Sequence, residues 1–287
     1  MLEALSHEFM QNAVLAGLLA SVICGTIGAF VVVNRMVFLS GGIAHAAYGG
    51  IGLAFFLGLP YMLGTILFTL VAAGAMAAAT WSRGHHQDTV VGAIWAVGMA
   101  IGIILLDLTP GYNVDLMSYL FGSILAVPRA DLWIMAGLGA VVLAVVAVFY
   151  NGLQAMSFDP EFARLRGVRT GLLYMALVAM VCVAVVMVIR VVGIILVIAL
   201  LSIPPAIAEK YTRDLKGMCV ISTVLCCAFT LAGLALSYAF DVTSGATIIL
   251  VAGASFLFSM LLDRVFPRLS VASRTARLIE GHGREEK

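Results

Sequence analysis

Nine long apolar runs dominate the chain, and most are about as long as a helix that crosses a lipid bilayer. In lipid, only helices and closed barrels satisfy their own backbone hydrogen bonds. Barrel strands alternate apolar and polar residues over about ten positions, whereas these runs are longer and continuously apolar. The sequence therefore predicts an all-α, polytopic helical membrane protein. The candidate spans are residues 10–33, 36–57, 60–80, 89–107, 131–150, 171–190, 192–208, 217–240 and 245–263.

Two segments leave the number of spans open between eight and nine. Residues 192–208 form a short run that ends in Pro204-Pro205, so this span is a candidate for a broken helix. Residues 115–127 are apolar but too short to span, and we interpret them as a re-entrant or interfacial helix. Because no polar stretch is long enough to hold a core of its own, residues 1–287 are predicted to form a single transmembrane domain.

The distribution of Lys and Arg predicts the orientation of the chain. If the N-terminus lies outside, 14 of the 16 Lys and Arg residues fall in the loops and tail on the inner side, and only Arg129 and Arg190 do not. An excess of these residues on the cytoplasmic side is the rule for membrane proteins. We therefore expect a cytoplasmic loop at 151–170 and a cytoplasmic tail at 264–287.

The sequence SFDPEFARLRG at 157–167 has the signals of a short helix between two spans. Asp159 suits the N-cap and Pro160 suits the first helical turn. Glu161 complements the positive end of the helix dipole, and Gly167 is typical of a helix end. The pattern predicts a well-started helix on the cytoplasmic side.

One face of this short helix is apolar. Phe158, Phe162 and Leu165 follow one another at spacings of four and three residues, which places them on the same side. The helix either rests on the bilayer surface or receives a cytoplasmic subunit, and its position between two spans does not decide between these interpretations.

His45 is the only His, Asp, Glu, Lys or Arg near the middle of a predicted span. An ionisable residue inside a membrane is a candidate for a transport pathway or a ligand site. The alternative is a neutral histidine that is hydrogen-bonded to a neighbouring helix, with Tyr48 near it at i+3. The residues themselves leave both interpretations open.

Pro204 and Pro205 remove two backbone donors and are predicted to break the span 192–208. This break would free the carbonyls of Leu200 and Leu201. It is either a simple helix end or a hinge or gate, because broken helices in membranes occur only inside protein or beside a water-filled cavity.

Other features exclude or disfavour several functions. The chain has no GxxxxGK[ST] motif, so it does not bind ATP by that route. The five cysteines have no spacing typical of a zinc cluster or a disulfide framework. A net charge of +1 gives no indication of a nucleic-acid partner. Carriers driven by ion gradients usually have carboxylates in the middle of their spans, and the absence of any here argues against that class.

Six stretches, in one order along the chain, resemble the permease subunits of bacterial ABC importers for zinc, manganese and iron. One such stretch alone would be a weak signal, but together they run over most of the chain. They are GGIAHAAYGG (41–50), DTVVGAIWAVGMAIGIILL (88–106), LFGSILAV (120–127), SFDPEFARLRG (157–167), VVGIILVIALLSIPPAIA (191–208) and DVTSGATIIL (241–250).

This resemblance implies an ABC-importer permease in the bacterial inner membrane, surrounded by lipid and paired with a second copy of itself. It implies two cytoplasmic ATPase subunits that bind ATP, and an external or periplasmic metal-binding protein that delivers Zn²⁺, Mn²⁺ or Fe²⁺. The chain itself would be no enzyme and would hold no cofactor. The short helix would be the coupling helix on the ATPase, through Asp159, Pro160, Glu161, Phe162, Ala163, Arg164 and Gly167.

The chain departs from the family at one position of the predicted pathway. In much of the family an acidic residue stands four positions before the histidine, where both side chains can hold a divalent cation. Here that position is Gly41, so His45 lacks this carboxylate. An imidazole alone is a poor site for Mn²⁺ and a better transient one for Zn²⁺ or Fe²⁺, unless a second copy supplies another ligand. A metal chelate as cargo is the alternative.

Overall fold

The computed structural model describes residues 7–81, 87–109, 122 and 124–265, and within them the chain forms helices, turns and no strand. Nine of the helices in this part of the chain are long and apolar enough to cross a membrane. The prediction of an all-α, polytopic membrane fold is confirmed. The helices are α1 (Glu8–Val33), α2 (Val37–Phe56), α3 (Tyr61–Trp81), α4 (Gln87–Asp107), α5 (Arg129–Phe158), the short α6 (Pro160–Leu165), α7 (Thr170–Ile189), α8 (Val191–Tyr211), α9 (Leu215–Phe240) and α10 (Ser244–Val265).

Four helices, α1, α2, α7 and α8, form the interior of the bundle. In each of these four helices, about two thirds or more of the most apolar stretch is buried. In each of the other five described spans, one third or less of that stretch is buried. In the interior, α1 packs on α9 and on the segment Thr170–Tyr211 that contains α7 and α8. The helix α2 packs on α3, on α4 and on the same segment. The outer helices therefore present broad apolar faces to their surroundings, as expected for a protein in lipid.

Among the described residues, the count of nine spans and not eight depends on a chain reversal at Gly193. Gly193 has φ of 81° and ψ of 167°, a conformation that is essentially restricted to glycine. Glu209 and Thr212, at the end of α8, line a cavity together with Ser157 and Phe158 at the end of α5. The chain thus returns to the end of the bundle from which α7 began, and the two segments are separate spans.

The predicted helix break at Pro204 and Pro205 is wrong. The helix α8 continues through both prolines to Tyr211. The two carbonyls that the prolines leave without a helical donor face neighbouring helices. The Cys226 thiol of α9 donates to the Leu200 carbonyl at 3.6 Å. The Leu201 carbonyl lies against Gly28 of α1, where a Cβ would come within 2.7 Å of its oxygen. Neighbouring helices of this kind allow proline inside a membrane helix.

Glycines bring α2 and α4 into backbone contact. A Cβ on Gly49 would lie 2.6 Å from the Gly98 carbonyl oxygen, and a Cβ on Gly102 would lie 2.7 Å from the carbonyl carbon of Tyr48. Gly52 faces the backbone of Gly102 in the same way. Small residues at a membrane interface permit this close approach, which fixes the position of the helix that carries His45.

Two predicted segments fall largely outside the described residues. Of the expected re-entrant or interfacial helix at 115–127, the structure describes Gly122 and 124–127, which include a 3₁₀ turn at Ile124–Ala126. The loop around residues 82–86 lies outside as well. Of the expected tail at 264–287, only its first two residues are described, as the end of α10.

Candidate functional site

His45 lies on α2, where its imidazole stacks on the indole of Trp95 from α4. The ring centroids are 4.2 Å apart and the planes differ by 12°. The side chain is only partly buried, but its Nδ1 atom is enclosed and makes no hydrogen bond within the described part of the chain. The anticipated bond between the histidine and a neighbouring helix is therefore not made at Nδ1.

Met99 of α4 and Phe38 of α2 contact the indole on which this imidazole stacks. Trp95 donates its indole N–H to the thioether sulfur of Met99 at 3.2 Å, which holds the indole in place. Phe38, at the start of α2, packs on the other part of the indole with ring centroids 6.1 Å apart. Trp95 has no distinctive signal in the sequence, because an aromatic residue in an apolar span is ordinary.

Gly41 leaves space beside the histidine face of α2. The atom closest to a Cβ placed on Gly41 is the terminal methyl carbon of Ile198 on α8, at 4.0 Å. By contrast, a Cβ on the adjacent Gly42 would come within 2.6 Å of Val91. A larger side chain therefore fits at position 41 and not at position 42. Within the described residues, no three His, Cys, Asp or Glu side chains approach closely enough to form a metal cluster.

The short helix α6 has the boundaries and the caps that its sequence predicts. The Asp159 carboxylate accepts a hydrogen bond from the backbone N–H of Phe162 at 2.9 Å, and Pro160 occupies the first turn. The helix ends at Leu165, and Gly167 has φ of 81°, which suits the left-handed conformation of a helix end. These local signals act within a few residues, so they do not depend on the rest of the fold.

The outer face of α6 is apolar and exposed. Phe158 and Phe162 are more than half exposed, and Leu165 is 88% exposed. Glu161 is also exposed, and the Arg166 guanidinium lies 5.2 Å from the ring centroid of Phe162. The opposite face is anchored, because Ala163 is only 1% exposed. Phe162 and Leu165 lie on α6, whereas Phe158 is the last residue of α5 and so, contrary to the prediction from its spacing, does not share the face of one helix with them. The three exposed side chains still provide an apolar surface suited to a protein partner.

Arg164 turns away from this outer face. Its Nε–H donates to the Thr170 hydroxyl at 2.8 Å, and its guanidinium lies 5.2 Å from the ring centroid of Trp81 at the end of α3. Pro204 and Pro205 are buried within α8. The structure thus places the predicted residues in three separate groups, on α2, on α6 and on α8.

Nine apolar helices in the described part of the chain, with a capped helix exposed at one end, define a polytopic membrane protein of the permease type. Residues 6–263 match the ABC 3 transport family. The chain belongs to this family.

The relatives and solved structures agree with this assignment. The chain is 51% identical to slr2045, an uncharacterized membrane protein of Synechocystis sp., over 92% of this chain and 94% of that protein. It is 31% identical to the manganese transport system membrane protein MntC of Halalkalibacterium halodurans, over 95% and 92% of the two chains. In structure it is similar to PsaBC from Streptococcus pneumoniae in complex with Fab, with a TM-score of 0.82, 32% identity, and coverage of 90% and 93%.

Proposed function

We propose that this chain is the permease subunit of an ATP-driven importer that moves a divalent metal ion across the bacterial inner membrane. The observation that carries the proposal is the family match over residues 6–263, joined to the capped and exposed helix α6. Relatives of similar length are named as manganese permeases. A second copy of the chain, two ATPase subunits and an external metal-binding protein complete the proposed importer.

In this proposal the ATPase subunit binds the outer face of α6. Phe158, Phe162 and Leu165 supply the apolar contact, and the acidic Glu161 lies beside them. The cap at Asp159, the turn at Pro160, the buried Ala163 and the end at Gly167 hold the helix in shape. Arg164 belongs to the same coupling element on its inner side.

The test of docking compares two exposed leucines. Leu165→Ala on α6 is expected to weaken binding of the ATPase subunit by about fivefold or more, as truncation of a central apolar contact does. Leu250→Ala, at a similarly exposed position of α10, is the matched control. The affinity of the purified permease for its ATPase gives the measurement. Equal affinities for both variants would show that α6 is not the docking helix.

The overall function is tested in proteoliposomes that contain the permease, its ATPase and its external binding protein. We expect metal uptake that requires ATP and the binding protein. Uptake that persists without ATP but collapses with an uncoupler would instead identify an ion-gradient carrier. Uptake of a metal chelate but not of the free ion would change the proposed cargo.

Orientation is tested with cysteines introduced into α6. The proposal places the N-terminus outside and α6 in the cytoplasm, so an impermeant thiol reagent added to intact cells is expected to leave these cysteines unlabelled until the membrane is opened. The chain has five free cysteines of its own, so the same treatment of the unmodified protein gives the background. Labelling in intact cells would contradict the orientation.

His45 is proposed as a transient contact for the metal. The unpartnered Nδ1 beside Trp95 supports this role, although the group lacks the carboxylate that the family resemblance leads us to expect at position 41. Transport requires that the ion leave as well as bind, so a weak site is sufficient. His45→Ala is expected to lower metal uptake with little change in ATPase binding. Unchanged uptake would remove His45 from the pathway.

The space at Gly41 provides a test of metal preference. Gly41→Asp adds an oxygen ligand on the face of α2 that carries His45, and Mn²⁺ prefers oxygen ligands more strongly than Zn²⁺ does. We expect the ratio of Mn²⁺ to Zn²⁺ uptake to rise. Gly41→Asn has the same size without the charge and serves as the control. An equal rise in both variants would indicate a steric effect and not coordination.

Pro204 and Pro205 are proposed as a hinge within α8, even though the helix is continuous there. The Leu200 carbonyl bonds a thiol from another helix in place of a backbone N–H, and a thiol is a weak donor. Pro204→Ala would restore one N–H, and the expected result is slower uptake at unchanged metal selectivity. Uptake at the normal rate would exclude a hinge.

A further inference from the structure

Three aromatic and polar residues join α6 to the ends of two spans. The Trp81 ring, at the end of α3, contacts both the Arg164 guanidinium and the ring of Tyr174 on α7. The centroids of Trp81 and Tyr174 are 5.0 Å apart. The Tyr174 hydroxyl hydrogen-bonds the Thr80 hydroxyl at 2.8 Å, so α3 and α7 are also tied directly. We call Arg164, Trp81, Tyr174 and Thr80 the Trp81 cluster.

The helix α3, which ends at this cluster, packs closely on α2. A Cβ on Gly64 of α3 would lie 2.8 Å from the Cβ of Ala54, and a Cβ on Gly50 of α2 would lie 2.8 Å from the Cα of Thr65. Further toward Trp81, the sulfur of Met76 lies against Gly42, three residues before His45. Because these contacts are close at three points along the two helices, we expect displacement of α3 to displace α2.

Space to move exists beside the Trp81 cluster. A cavity of about 300 Å³ opens between α6 and the starts of α2 and α4. Its lining includes Trp81, Arg164 and Tyr174 from the cluster, together with Phe38, Asp88 and Pro160. The cluster is thus packed on one side and open on the other, as a contact that shifts between two positions requires.

We propose that the contact of Arg164 with Trp81 transmits movement of α6 to α3, and through α3 to the helix that carries His45. On this proposal Arg164 and Trp81 are positioning residues for transport and are not part of the docking surface for the ATPase. The proposal rests on the proposed function, since it needs an ATPase that acts on α6.

The experiment measures metal uptake per ATP hydrolysed by the complete complex in proteoliposomes. Trp81→Leu is expected to lower this ratio by about two- to fivefold, the range for loss of an exposed cation–π contact. Affinity for the ATPase subunit is expected to stay the same. Trp133→Leu removes an indole that is 80% exposed on α5 and serves as the matched control with an unchanged ratio.

A double variant tests whether the two residues act through one contact. Arg164→Gln alone is expected to lower uptake per ATP, and Arg164→Gln with Trp81→Leu is expected to lower it no further than the more severe single change. Tyr174→Phe, which removes only the hydroxyl bond to Thr80, is expected to have a smaller effect. The melting temperature of each variant in detergent reports whether it has folded.

Three outcomes would overturn the proposal. They are an unchanged ratio in a folded Trp81→Leu protein, a loss of ATPase affinity that accounts for the loss of uptake, and independent additive effects of Arg164→Gln and Trp81→Leu. Failure of the proposed function is distinguishable, because the unmodified complex itself would then show no ATP-dependent uptake.

Discussion

Two regions of the molecule are held together in different ways. One is the contact between α2 and α4, and the other is the end of the bundle that carries α6. Between α2 and α4, glycines bring backbone against backbone, and the Tyr48, Gly49 and Gly102 main chains touch. At the α6 end, polar side chains join the elements. Examples are the bonds from Asn34 to Ser157 and from Lys210 to Asp263.

This difference separates a rigid part of the protein from an adjustable one. Backbone contacts across glycines have one arrangement, because any displacement produces overlap or a gap. Polar side chains at a membrane surface exchange partners with water at modest free-energy cost. We infer that α2, which carries His45, moves as a unit with its neighbours, and that rearrangement occurs at the α6 end.

The largest expected effect tests the rigid part. Gly102→Ala places a methyl group against the Tyr48 carbonyl carbon and the Gly49 nitrogen, and neither belongs to a flexible side chain. We expect a loss of about 1–3 kcal/mol in stability, typical of an overpacked core. The measurement is the melting temperature and the yield of folded protein in detergent.

Gly92→Ala on the same helix is the matched control. A Cβ on Gly92 meets no atom within 4 Å, and alanine is a better helix former than glycine by up to about 1 kcal/mol. Its melting temperature is expected to stay the same or rise. Equal behaviour of the two variants would mean that the α2–α4 contact is not rigid.

The next effect tests an ion pair at the α6 end. The Lys210 ammonium lies 2.8 Å from Asp263, and both side chains are about three quarters buried. The second Asp263 oxygen is enclosed without a hydrogen bond in the described structure. Lys210→Met leaves a partly buried carboxylate unpaired, which we expect to cost about 1–2 kcal/mol, less than for a fully buried pair. The check is the melting temperature of the double variant Lys210→Met with Asp263→Asn. We expect it to recover most of the lost stability.

The features that sequence predicts well here are those set by neighbouring residues. The spans follow from apolar runs, and the boundaries of α6 follow from Asp159, Pro160 and Gly167. The hydrogen bonds of Asp159 and Gly167 join residues three or four positions apart. His45 was identifiable because an ionisable group within an apolar run is conspicuous.

The features that sequence missed depend on distant residues. Whether Pro204 and Pro205 end a helix is decided by Cys226 and Gly28 on other helices. The stacking partner of His45, Trp95, is fifty residues away in the chain. The close contact of α4 with another helix did have a signal in the sequence, because Gly98 and Gly102 have the four-residue spacing typical of such contacts.

A smaller effect is expected for a single hydrogen bond at the α6 end. Asn34 donates to the Ser157 hydroxyl at 2.9 Å and joins the end of α1 to the end of α5. Ser157→Ala removes this bond, but Asn34 still donates to the Phe30 carbonyl. We expect a loss of about 1 kcal/mol, measured by melting. Ser255→Ala, whose hydroxyl bonds only its own helix at Val251, is the control and is expected to change less.

The smallest effect is expected at the opposite end of the bundle. Arg129 pairs with Glu8 at 2.9 Å, but each side chain is about two thirds exposed. Solvent screens such a pair, so Arg129→Gln is expected to change the melting temperature little, in keeping with a contribution of about 0.5 kcal/mol or less. Melting at low and high salt is the measurement. If Arg129→Gln destabilised the protein as much as Lys210→Met does, the polar contacts at the α6 end would have no special role, and adjustment would have to be sought at both ends of the bundle.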